Sequence, residues 1–198
     1  MIKAKIKKKF PLKIDEWVWD FIEDISKEMA YARTTINALT GTYAEGSEGY
    51  RENEDAVSEK GMLGELLHKA YRYQKGYEPG RIQWLPQIQK EPVIGADAII
   101  DHRNVDAKCT EMHYTRKFDG AQIKKNRLQV NAAAHDNASK SVDEYFFVFT
   151  DSKSKTADVY VVDHTDVNSW EETVYRTATL EAEIPNHIYV EDYWDDED

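Results

Sequence analysis

In the stretch GADAIIDHRNVDAKCT, two aspartates and a lysine, Asp97, Asp106 and Lys108, sit within otherwise apolar runs. Residues 93–100 and 105–110 are rich in Val, Ile and Ala and flank four polar residues, 101–104, which reads as a β-hairpin. With a four-residue loop, Ile100 faces Val105 and Asp97 faces Lys108. Strand side chains alternate between faces, so Asp97, Asp106 and Lys108 project from the same one. A carboxylate at Asp97, among Ile94, Ala96, Ala98, Ile99 and Ile100, is costly unless something compensates it. One compensation is an ion pair with Lys108. The other is a divalent cation shared with Asp106, which has no opposite partner in this register. Two carboxylates with room for water suit Mg²⁺ or Mn²⁺, which also engage substrate phosphate. Such an ion acidifies water and stabilises charge on a scissile phosphate, and a neighbouring ammonium such as Lys108 orients that water.

The elements that must carry these residues are legible in part. Residues 3–10 alternate Lys with Ala or Ile, as in an edge strand or extended arm. Val18, Ile22, Ile25 and Met29, widened by Phe21, recur at helical spacing behind Asp15 as N-cap, predicting a helix over 16–38. Trp17 and Trp19 straddle its buried edge. Residues 41–60 read as a long loop rich in Gly, Ser and Glu. A second helix begins near Glu59, buries Leu63, Leu66, Leu67, Ala70 and Tyr71, and stops before Gly76. Beyond the hairpin, 119–137 reads as a helix, EYFFVFT and ADVYVVD as two closing strands, and 166–178 as a short helix. This order suggests an α/β fold, a mixed central β-sheet flanked by helices.

In this order the residues resemble the PD-(D/E)xK nuclease superfamily, the restriction-endonuclease-like fold. That family places an acid on one hairpin strand and a D/E-x-K tripeptide on the next, here Asp97 and Asp106-Ala107-Lys108. Many members carry a glutamate on a preceding helix, and GMLGELLHKAYRY supplies Glu65. The RecB-like and lambda-exonuclease-like branch often adds a glutamine after the lysine. Gln129 in NRLQVNAAAHD matches best, with Gln122 as the alternative. Two departures stand out: Ala96 takes the place of the motif's Pro, and another hairpin register would substitute Asp101 for Asp97. The resemblance spans about residues 60–163. It implies a metal-dependent deoxyribonuclease with Asp97, Asp106 and Glu65 as metal ligands. Lys108 would position or activate the water, and Gln129 would support the water or a phosphate. Small stand-alone members are frequent in phages and mobile elements, which implies a DNA-processing or defence role. Double-strand cleavage would need a dimer or larger homo-oligomer, and no interface is legible.

The chain has 198 residues and a formal net charge of −11, enough length for one domain with a sizeable core. Its charge opposes a nucleic-acid partner at first sight, but the last 22 residues hold −8 of it. Residues 108–127 carry +4, and Arg116, Lys117, Lys124, Lys125 and Arg127 lie where a DNA backbone would run. The N-terminal lysines form a second basic segment. We therefore expect a nuclease-like domain over 1–185, with a basic N-terminal arm, and an acidic tail over 186–198. A rival expectation is a non-catalytic acidic DNA mimic or interaction protein on a nuclease-like fold. With no bilayer-length apolar run and no signal-peptide pattern, the expected location is the cytoplasm, away from membranes. A single cysteine, Cys109, excludes an internal disulfide and reads as a packed thiol. The six histidines show no metal-ligand spacing.

Overall fold

A strand covered on both faces carries a continuous apolar run rather than an alternating one. EYFFVFTD, over Glu144–Asp151, is such a strand, with every residue but the last buried. In the computed structural model it is an inner strand of the main sheet; the residues described are 1–39, 59–71, 76, 82–84, 96–100, 102–115, 119–138, 141–174 and 178–188. Along the chain the elements are β1 (Lys8–Leu12), α1 (Glu16–Leu39), α2 (59–71), β2 (Ile82–Trp84), β3 (Ala98–Ile100) and β4 (Arg103–Glu111). There follow β5 (His113–Thr115), β6 (Gln122–Lys124), β7 (Arg127–Asn131), α3 (Ala132–Ala138), β8 (Glu144–Asp151), β9 (Thr156–Asp163), α4 (His164–Val167), β10 (Glu171–Val174) and β11 (Ala178–Glu183).

The main sheet has six strands in the order β1-β9-β8-β4-β3-β2. Only β4 and β8 run parallel, and the other neighbours are antiparallel, so the expected mixed α/β sheet is present. Helices α1 and α2 cover one face: Trp19, Ile22, Leu63, Leu67 and Tyr71 meet Phe10, Phe146, Val148 and Val159 in one buried cluster. On the other face, Leu128 and Val130 of β7 and Ala182 of β11 pack on Tyr145, Phe147, Phe149 and Val162. These strands belong to a second sheet, ordered β10-β11-β7.

Several expectations are corrected. The segment 119–137, expected as one helix, is instead β6, β7 and the seven-residue α3, because β7 finds five partners on β11. Within 166–178, only the first residues are helical and Glu171–Val174 is a strand. On α1 the buried line runs through Trp19, Ile22, Ser26, Ala30 and Thr34, while Trp17 and Phe21 are 70% and 60% exposed. Ser26 and Thr34 survive burial by donating their hydroxyls to the carbonyls of Ile22 and Ala30. The N-terminal arm leads into an edge strand, and four of its lysines pair within the protein: Lys3 with Glu183, Lys5 with Asp166, Lys7 with Glu144 and Lys9 with Asp158. Residues 40–58 and 189–198, with most of the expected loop and tail, lie outside the described residues.

The start of α2 is pinned to the ends of β4 and β8 by Glu111. Its carboxylate accepts hydrogen bonds from Lys60 Nζ at 2.8 Å, the Ser152 N–H and hydroxyl at 2.9 Å each, and the Thr150 hydroxyl at 3.1 Å. Burial opposes the charge, but Lys60 and Ser152 outweigh it and hold the carboxyl below the ordinary glutamate value of 4.5. A depressed carboxyl contributes stability that is present above that value and lost as pH falls through the folded one. Glu111→Gln is expected to cost about 1–2 kcal/mol at pH 7 in urea unfolding, with the gap to wild type closing below about pH 4.5. A gap that stays constant down to pH 3 would contradict this.

Candidate active site

Three elements build the site: α2 brings Glu65, the residue before β3 brings Asp97, and β4 brings Asp106 and Lys108. The hairpin register differs from the expected one. Ile100 pairs with Arg103 and Ala98 with Val105, so two residues rather than four separate the paired strands. His102 takes the left-handed conformation this tight reversal needs, with φ of 66°. Asp97 is therefore opposite Asp106, its N–H donating to the Val105 carbonyl at 2.8 Å, and not opposite Lys108. A shift of two residues leaves every side chain on its original face, so the shared face survives while the pairing changes. Asp101 lies outside the described residues.

The ion pair also differs from the one expected. Lys108 Nζ donates to Asp106 Oδ1 at 2.6 Å, along the same strand rather than across the hairpin. Asp106, with only 8% of its side chain exposed, is the buried partner, and Lys108 at 36% reaches solvent. The other acid, Asp97, uses Oδ2 to accept the Ala107 N–H at 2.7 Å. Burial first, then the charges of Asp106 and Glu65, push the Asp97 carboxyl well above the usual carboxylate range, and a hydrogen bond with Asp106 adds to the effect. Burial works against the Lys108 ammonium, but Asp106, Asp97 and Glu65 outweigh it and raise its pKa. Lys108 thus feels all three carboxyls. A carboxyl pushed up as Asp97 is can be relieved by a proton or by a cation.

Beside the cluster is a cleft of about 10 Å³, lined by Glu65, His68, Lys69, Asp97 and Ala107 among others, roughly the room of one water. Its position follows from the elements: α2 lies over the hairpin and brings Glu65 to the end of β3, where Asp97 precedes Ala98. Among the described residues, no three His, Cys, Asp or Glu side chains already surround a point where an ion would sit. In this form Lys108 occupies one oxygen of Asp106.

Gln129 does not join this cluster. It lies on β7, where its amide donates to Glu181 Oε2 at 3.1 Å on the neighbouring β11, with Leu128 and Val130 turned the other way into the core. Arg127 pairs with the same buried Glu181 at 3.6 Å. Gln122 is exposed on β6. Lys124 is exposed at the end of that strand, and Lys125 Nζ donates to the Thr110 hydroxyl at 2.8 Å. The positions of Arg116 and Lys117 lie outside the described residues.

One feature had no sequence signal. Tyr145 is the strand partner of Asp106 across β4 and β8 and is fully buried. Its hydroxyl meets His135 Nδ1 at 3.0 Å, and His135 Nε2 meets Asn168 Oδ1 at 2.8 Å. With the amide oxygen as acceptor, Nε2 carries the imidazole proton and the tyrosine O–H donates to Nδ1. Burial, then Asp106, raises the Tyr145 pKa. His164 stacks on His135 with ring centroids 4.1 Å apart, and its buried Nε2 has no hydrogen-bond partner among the described residues. Local spacing could not have joined residues 135, 145, 164 and 168, because the sheet brings them together.

No helix among the described residues is long and apolar enough to cross a membrane. No protein-family model, curated protein or solved structure matches the chain.

Proposed function

We propose that this chain is a divalent-metal-dependent deoxyribonuclease of restriction-endonuclease-like architecture. The observation that carries the reading is the meeting of Asp97 and Asp106 on adjacent strands, with Lys108 on Asp106 and Glu65 acting on Asp97. The donor set fits Mg²⁺ or Mn²⁺ in chemistry: hard carboxylate oxygens close enough to raise the proton affinity of Asp97, and a cleft with room for water. Asp97, Asp106 and Glu65 are the residues that would hold the ion. When bound, it would acidify a water and offset charge on the scissile phosphate.

The remaining work belongs to this chain. Asp106 is held by Lys108 through Oδ1 until the lysine gives up that contact. The freed Nζ then donates to the attacking water or to a non-bridging phosphate oxygen, while the Ala107 N–H keeps Asp97 in place. Tyr145, fixed by His135, walls the buried side of Asp106 and excludes solvent there.

The test is calorimetric titration with Mg²⁺ and Mn²⁺, followed by incubation with linear, nicked, circular and single-stranded DNA. Wild type is expected to bind metal and cleave at least one substrate, and Asp106→Asn to lose both by about 100-fold or more. A folded wild type that neither binds metal nor cleaves any of the four would sink the reading.

A further inference from the structure

Many lysines of this protein are paired with acids. Lys7 and Lys9 meet Glu144 and Asp158, Lys60 of α2 meets Glu111, and Lys108 meets Asp106. Lys125 differs: among the described residues its ammonium meets the neutral Thr110 hydroxyl, and burial lowers its pKa with no anion to offset the effect. Its backbone is fixed as well, with the Lys125 N–H donating to the Met112 carbonyl at 2.8 Å. A partly buried cation held this way, with its charge unmatched, is complementary to an anion from outside.

The surroundings say which anion. Thr110 is on the same face of β4 as Asp106 and Lys108, two residues beyond the lysine, a step of about 7 Å along the strand. Lys125 also lines a cleft of about 350 Å³ together with Lys9, Lys124, Asn126, Tyr160 and Ile188, and no carboxylate is among its lining residues. Lys9 is held in place there, with Nζ 3.3 Å from Asp158 and 5.3 Å from the centre of the Tyr160 ring. Lys124 is exposed at the rim. Three lysines thus line one cleft, Lys9 with Asp158 as a partner, and the bond from Lys125 to Thr110 ties that cleft to the row Asp106, Lys108, Thr110.

We infer that this cleft is a second phosphate subsite, in which Lys125, Lys124 and Lys9 take the phosphodiester next to the one placed at Lys108. The inference rests on the nuclease reading and adds to it a fixed path for the strand, from the carboxylates along β4 toward β9 and β1. It draws into substrate binding a lysine of β1, outside the basic cluster evident in the sequence. Lys125 acts as a binding residue, because its Nζ bonds Thr110 and not the acids of the site.

The probe is a short fluorescein-labelled DNA oligonucleotide, with Ca²⁺ replacing Mg²⁺ so that binding is read without turnover. Lys125→Gln is expected to weaken binding about 5- to 10-fold at low salt and to reduce the slope of log affinity against log salt by about one. Lys124→Gln is expected to act in the same direction, Lys125→Arg to keep the wild-type slope, and Lys27→Gln on α1 to change neither quantity. Circular dichroism of each variant separates lost binding from lost folding. Unchanged affinity and slope in folded Lys125→Gln and Lys124→Gln would overturn the subsite; if Lys108→Ala still abolished cleavage, the nuclease reading would stand without it. Weakened binding by Lys125→Gln alongside a wild type that cannot cleave would support the cleft and remove the nuclease.

Discussion

Lys108→Ala should leave a folded protein that retains Mg²⁺ binding and cleaves DNA about 1,000-fold more slowly or worse, measured as a single-turnover rate on the substrate wild type prefers. The magnitude follows from position. Lys108 is the cation in contact with Asp106, and its side chain is exposed enough to reach a substrate while Asp106 is not. Removing it takes away the donor to the reacting water or phosphate and leaves Asp106 facing Asp97 and Glu65 with less compensation. The metal-free variant should therefore melt below wild type, and Mg²⁺ should recover more of the loss than it adds to wild type, because the ion replaces the missing charge. Lys108→Arg should restore the melting temperature but not the rate, since a planar fork does not present a compact ammonium at the same point. Wild-type cleavage by Lys108→Ala would remove this residue from the chemistry.

The second large effect is expected at a residue with no side chain. A Cβ built on Gly64 would fall 2.6 Å from the Cβ of Cys109 and 3.3 Å from its sulfur. The near atom belongs to the stem of a residue on β4, so α2 and the strand must separate. Overpacking of this kind costs about 1–3 kcal/mol, and Gly64→Ala should accordingly melt about 5–10 °C below wild type. Cys109→Ala should not rescue it, because the clashing Cβ remains. Cys109→Gly should recover part of the loss. Glu65 is the next residue along α2 and Lys108 the one before Cys109, so the same separation should slow cleavage in whatever fraction stays folded. The close fit also accounts for the thiol: burial pushes Cys109 up to about 12, which keeps it protonated and unreactive. An unchanged melting temperature for Gly64→Ala would mean that helix and strand are not in contact here.

The sequence carries the parts of this fold that local pattern controls. The apolar runs of β8 and β9 needed no partner to be recognised, and the stripe of α2 with Leu63, Leu67 and Tyr71 is buried as expected. Parity protected the site: the hairpin register was off by two residues, yet Asp106 and Lys108 kept their face because the strand period is two. Pairing was not protected in this way, so the partner of Lys108 changed from Asp97 to Asp106. Segment 127–131 failed for a different reason. Its Ala-rich continuation and mixed polar pattern suit a helix, and only β11, some fifty residues later, makes it a strand. Gln129 moved with it, away from the carboxylates. On α1, Ser26 and Thr34 lie on the buried line that the apolar stripe did not include, because back-bonding to their own helix, which lets them be buried, leaves no trace in hydropathy.

The edge strand β1 has a consequence for how the chain is made. It pairs with β9, Lys8 opposite Val161 and Leu12 opposite Ala157, so this strand leaves the ribosome well before its partner and cannot join the sheet until β9 has followed. Until then its lysines lack the carboxylates that later neutralise them, and this transient positive charge helps to keep an unpaired strand from joining another chain. Docking of residues 1–12 thus waits for the acids at 144, 158 and 183, which receive Lys7, Lys9 and Lys3.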